Sequence, residues 1–190
     1  MRRILTTALL AACAVAIASC ASSTSTSSTG SDSSGSAAKK SCGFKATDSC
    51  TPKVGVHGKV RVDALVWRLE GVRVTKTLSN ALGVTRADGT FIVATVKVHS
   101  VKDQSATMTS DVVKLKDGNR TFSGSDKGET AVLASGGEPF LLRDIGPDTT
   151  VSGKVVFDVP KGVLRRHPQL QFNELGFGST HGYIALPALG

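Results

Sequence analysis

From Thr51 onward, apolar and polar residues alternate with a period of two, the spacing of strands with one buried face, and no sustained helical spacing breaks it. Lys59 to Val66 predicts one strand with Val60, Val62, Ala64 and Val66 inward and Arg61 and Asp63 in water. Phe91 to Val98 begins apolar on both faces, as a central strand does, and Val151 to Val159 puts Val151, Val155, Phe157 and Val159 inward. Leu170 and Phe172 repeat the alternation, and shorter strands are predicted at Val72 to Leu78, Val112 to Lys116, Arg120 to Phe122, Phe140 to Arg143 and Gly182 to Leu186. Asp88-Gly89, Asp117-Gly118-Asn119, Gly136-Gly137, Gly146-Pro147-Asp148 and Pro160-Lys161-Gly162 supply turns between them. About seven to nine short strands so punctuated predict an all-β antiparallel sandwich, with a closed barrel as the alternative. Trp67 shares the parity of Leu65 and is expected in the core.

The N-terminus follows a different pattern. Met1-Arg2-Arg3 precedes the apolar run Ile4 to Ile17, a charged region and hydrophobic region of export-signal length. Ile17-Ala18-Ser19-Cys20 resembles the lipobox of bacterial lipoproteins, which implies a diacylglyceryl group on Cys20 and signal removal over residues 1–19. Leu10-Ala11-Ala12-Cys13 has the same form, but cleavage there leaves a hydrophobic region of only about seven residues. Residues 21–41 are mostly Ser, Thr, Gly and Ala, so residues 20–41 are expected to form a disordered tether and residues 42–190 the domain. Two or three acyl chains, at about 0.8 kcal/mol per buried CH₂, anchor a protein stably without a spanning helix. The expected location is the extracytoplasmic face of the cell membrane, where the hydroxyl-rich tether offers sites for O-linked sugars.

The 190 residues are 40% apolar and 20% charged, which excludes a polytopic membrane protein, a collagen-like chain and a wholly disordered one. A domain of this size buries about 68–70% of its unfolded surface, enough for a core that needs no cofactor. Loss of Arg2 and Arg3 with the signal lowers the formal charge of +8 by two, so the exported part stays basic. Outside a bacterial membrane, such a charge favours phospholipid head groups, teichoic acids or acidic glycans over nucleic acid. Cys42 and Cys50 are the cysteines left after export and acylation, and an oxidising compartment predicts a disulfide between them. Closing that loop restricts the unfolded chain by roughly 2.6 kcal/mol.

Three segments in order carry a family resemblance. Asp88-Gly89-Thr90-Phe91-Ile92-Val93-Ala94-Thr95-Val96-Lys97-Val98 is similar to a "G-x-F-x-V-V-x-V-x-V" strand, Val113 to Asn119 to an "F-x-L-x-D-x-x-G" hairpin, and Gly153 to Pro160 to a "G-x-V-V-F-D-V-P" strand. Together they resemble the immunoglobulin-like domain of unknown function common in Gram-positive lipoproteins. That domain is sometimes labelled a telomeric repeat-binding factor domain and is related to a secreted mycobacterial immunogenic antigen. The resemblance spans Gly58 to Leu186 and departs at Gly146-Pro147, where the family has Pro-Gly. It implies an immunoglobulin-like sandwich and export, and brings no catalytic residue, substrate or cofactor.

Candidate chemistry is sparse. His57, His99, His167 and His181 lack the spacing of a metal-binding helix, and no G-x-S-x-G is present. Gly124 to Gly128 and Gly176 to Ser179 are read as turns rather than phosphate loops, and Asn119-Arg120-Thr121 fits a glycosylation sequon. Arg165-Arg166-His167, with Lys161 nearby, forms the densest basic cluster, in an expected inter-strand loop. The sequence therefore predicts a non-enzymatic, lipid-anchored envelope protein that needs no cofactor and binds an envelope protein or polymer. Two alternatives stand beside it. One is recognition of an anionic polymer through Lys161, Arg165 and Arg166. The other is an exported hydrolase or metal-dependent enzyme whose site assembles from distant residues.

Overall fold

The computed structural model describes residues 42–176 and 178–190. The export signal, Cys20 and the tether lie outside the described residues. In chain order the strands are β1 (Lys53–Val54), β2 (Lys59–Val62), β3 (Leu65–Asn80), β4 (Gly83–Ser100), β5 (Ala106–Thr107), β6 (Val113–Asp117) and β7 (Arg120–Phe122). Helix α1 (Asp126–Ala134) follows, then β8 (Asp144–Ile145), β9 (Thr150–Val159), a 3₁₀ helix (Lys161–Arg166), β10 (Gln169–Asn173) and β11 (His181–Ala185). Two sheets, ordered β2-β3-β4-β9 and β1-β11-β10-β6-β7, form the sandwich, and β5 and β8 form a separate ribbon. The pairings are antiparallel except β1 with β11.

The sandwich closes on aromatic rings. Trp67 from β3 stacks on Phe172 from β10 with centroids 4.8 Å apart and meets Phe140 at 5.4 Å. Ile92, Val96 and Val98 of β4 and Val155 and Phe157 of β9 pack in the same core as Leu115, Leu170 and Ile184 of the other sheet. The opposite face of β4 is apolar at one end, and α1 explains why. Phe91 and Val93 with Val156 of β9 form a second small core beneath Ala131 and Val132 of the helix.

Four expectations need correction. The predicted strand from Lys59 to Val66 is a hairpin: Asp63 turns with φ +52° and Val62 pairs with Leu65. The turn puts Leu65 and Trp67, not Ala64 and Val66, in the core with Val60 and Val62. Asp88-Gly89 is not a turn but part of an irregularity inside β4, where the register jumps between Thr75 and Thr77. The Asp158 carboxylate accepts both backbone N–H groups there, at 2.8 and 2.9 Å, and a Cβ on Gly89 would lie 2.2 Å from the Val159 carbonyl oxygen.

Gly124 to Gly128 leads into a helix. Ser125 caps it by accepting from the Gly128 N–H at 3.2 Å, and Gly136 with φ +74° lies just beyond its end. Gly128 is a contact residue rather than a breaker, since a Cβ there would meet Val156 Cγ1 at 2.4 Å. Phe140 to Arg143 forms no strand, and the Phe140 side chain instead packs over Gly153 in the core.

Glu129 of α1 is buried, and its Oε1 has no hydrogen-bond partner. Burial, assisted by the neighbouring Asp126 charge, pushes its carboxyl up to about 7 from the ordinary 4.5. The folded state therefore holds this proton more tightly than the unfolded chain. Stability is full below the ordinary value and declines as pH rises through the folded one. Glu129→Gln should raise the melting temperature at pH 8.5, by up to about 3 kcal/mol in stability, with the gain fading by pH 5. Equal effects at both pH values would contradict this. Trp67→Ala should cost about 3–5 kcal/mol in urea unfolding, as expected for deleting a buried aromatic.

Candidate functional site

Sequence proximity alone does not decide which basic residues act together. The 3₁₀ helix turns Lys161 and Arg165 toward one groove of about 660 Å³, facing Val74, Thr75 and Lys76 of β3. Arg166 points elsewhere, with Nη1 3.8 Å from the carboxylate of Asp117, which also pairs with Arg120. The structure thus separates Arg166 from the expected cluster and supplies Lys76 in its place. Nothing near Lys76 in the sequence signals this, because β3 brings it from a distant segment.

Lys76 and Lys161 line the same groove, and the Lys161 ammonium holds Lys76 below the usual lysine range. Two ammonium groups side by side repel unless an anion lies between them or one loses its proton. No Asp or Glu side chain lines the groove, although Gly190 borders it, and Leu164 and Val74 provide an apolar wall beside the cations. Such an arrangement suits a phosphate, sulfate or carboxylate attached to a larger body, since a bridging anion removes the repulsion.

The histidines do not converge. Among the described residues, no group of three His, Cys, Asp or Glu side chains is placed to hold a metal ion. His99 offers the nearest approach to a catalytic array. Its Nδ1 lies 3.1 Å from Thr150 Oγ1, and its Nε2 lies 3.5 Å from Asp148 Oδ1. Asp148, however, is 91% exposed, and a solvated carboxylate holds an imidazole in place only loosely. His181 contacts the Ser179 carbonyl and the edge of Tyr183.

Cys42 and Cys50 are joined by a disulfide with Cα atoms 5.6 Å apart. The segment it closes runs beside β2, where Ala46 N–H donates to the Arg61 carbonyl at 2.7 Å and Arg61 N–H donates to the Phe44 carbonyl at 2.6 Å. No helix among the described residues is long and apolar enough to cross a membrane.

The crowding of Lys76 has a chemical signature. At pH 8.5, limiting amounts of an amine-acylating reagent should modify Lys76 ahead of the exposed Lys53, as read by peptide mass spectrometry. Lys161→Ala should remove that advantage, and an unchanged rate at Lys76 would show that Lys161 does not depress it.

Comparison with known proteins follows the fold. No curated protein matches the sequence. The secreted protein MPT63 from Mycobacterium tuberculosis superposes with a TM-score of 0.52 at 12% identity, over 73% of this chain and 99% of that one. The YjhA protein from Bacillus subtilis gives a TM-score of 0.51 at 12% identity, over 68% of this chain and 98% of that one. YcdA, a candidate lipoprotein of Bacillus subtilis, gives 0.48 at 15% identity, over 68% of this chain but only 38% of its own. At such identities the likeness is one of fold, that of an immunoglobulin-like β-sandwich. The profile of the domain of unknown function DUF4352 matches residues 54–181, and on that match the chain belongs to the DUF4352 family.

Proposed function

We propose that the protein is an exported, lipid-anchored component of the cell envelope whose sandwich is a non-catalytic binding module. Its ligand is an anionic envelope polymer, held by Lys76, Lys161 and Arg165. The observation that supports this reading is the convergence of Lys76, Lys161 and Arg165 on one groove lined by no Asp or Glu side chain. Holding such cations together costs energy that a polyanion's phosphate or carboxylate recovers. Export and anchoring rest on the sequence pattern ending at Cys20. The mutual pairing of Arg166 with Asp117 leaves it a lesser part in this site than Lys76.

The mature protein should bind immobilised lipoteichoic acid in low salt and elute as ionic strength rises. Lys161→Ala with Arg165→Ala should weaken binding about thirtyfold, since each cation close to a polyanion contributes on the order of 1 kcal/mol. Salt-independent retention, or full retention by the double variant, would refute the groove. Cys20→Ala should abolish acylation and leave an unprocessed precursor; unchanged acyl mass on the mature protein would refute the anchor.

A further inference from the structure

Helix α1 covers only one end of the outer face of the sheet β2-β3-β4-β9. At the other end the outward positions of three neighbouring strands are basic. Lys59 and Arg61 of β2, Arg68 of β3, and Lys97 and His99 of β4 line one shallow surface with Phe44. Lys97 is paired with Glu70 at 2.7 Å, and His99 faces Asp148. Lys59 and Arg68 have no acidic partner among the described residues, and Arg61 donates through Nε to the Asp63 carbonyl at 3.0 Å. Lys59 Nζ sits 4.8 Å from the centroid of the Phe44 ring, which is itself 41% exposed. An exposed phenyl ring beside the unpaired cations Lys59 and Arg68 suits an anionic bilayer surface, which attracts the charges and takes an apolar ring at the boundary of headgroups and acyl chains.

Position along the chain gives a second, independent reason. Phe44 belongs to the disulfide-closed segment, the first described part of the chain, and that segment is hydrogen-bonded to Arg61 within this surface. The chain thus enters the domain at the edge of the basic face. On the acylation proposed at Cys20, the anchor precedes this entry point by only about twenty residues in sequence, so this edge is the part of the domain next to it along the chain. The groove lies at the opposite end of the strands. Arg68 and Lys76 are both on β3, and eight residues of strand extend roughly 26 Å.

We propose that the basic face formed by Lys59, Arg61, Arg68 and Lys97 docks on the anionic phospholipid surface of the membrane, leaving the groove of Lys76, Lys161 and Arg165 directed away from it. This rests on export to the outer membrane face as read above, but not on what the groove binds.

The test uses the mature chain, residues 20–190, with Cys20→Ser so that no acyl group contributes. It should co-sediment with vesicles containing 30% phosphatidylglycerol in 50 mM salt, and not with pure phosphatidylcholine vesicles. Lys59→Glu with Arg68→Glu should reduce that partition at least about tenfold, while Lys161→Glu with Arg165→Glu leaves it within about twofold. All these side chains are at the surface, and matching circular dichroism and melting temperatures confirm folding. Absence of phosphatidylglycerol binding, or equal losses from the two charge reversals, would overturn the proposal. Lipoteichoic acid retention by the same variants reports the groove separately. Loss there with intact vesicle binding supports both sites, whereas loss of vesicle binding alone by Lys161→Glu with Arg165→Glu contradicts this one.

Discussion

Burial of β4 on both faces is the constraint from which the rest of the architecture follows. Its inner residues meet the opposing sheet around Trp67 and Phe172, and its outer residues Phe91 and Val93 need a separate cover. Helix α1 is that cover, yet at nine residues it extends only about 14 Å, against roughly 60 Å for the 18 residues of β4. Beyond its reach the outward positions cannot remain apolar in water, and they carry Lys97 and His99 beside Arg68 of β3. A short helix on a long strand therefore divides one sheet face into a dry half and a charged half.

Much of this was legible in the alternation of residues, and the failures have identifiable causes. The period-two segments at β6, β9, β10 and β11 form strands because each has one face on the core. The hairpin at Asp63 was hidden because Ala64 and Val66 continue the apolar alternation across the turn. Helix α1 was hidden by Gly128, a residue that usually marks a break but here admits Val156. Its signal lay in Ser125 as N-cap with Asp126 and Glu129 in the first turn. In the groove, Lys161 and Arg165 were legible as a cluster, whereas Lys76 could be found only through the approach of β3 to the 3₁₀ helix.

The two basic surfaces differ in kind. Around Lys59 and Arg68 the charges are spread over a broad face with an aromatic ring, suited to a planar anionic partner that needs no exact fit. Around Lys76 and Lys161 the charges converge, and mutual repulsion makes a single bridging anion favourable. Under the two proposals, their separation along the strands would let one protein contact membrane and polymer at once. The immunoglobulin-like frame contributes rigidity, holding both surfaces on paired strands or on a 3₁₀ helix packed by the buried Val163.

The orientation of the anchored domain is the most direct measure of this account. Spin labels placed at Lys59 and at Lys161 of the acylated protein, reconstituted in bilayers containing phosphatidylglycerol, report depth through collisions with a lipid-bound relaxation agent. The account predicts strong relaxation at position 59 and little at 161, as befits sites roughly 25 Å apart along the strands. Equal relaxation at the two positions, or the reverse order, would contradict it.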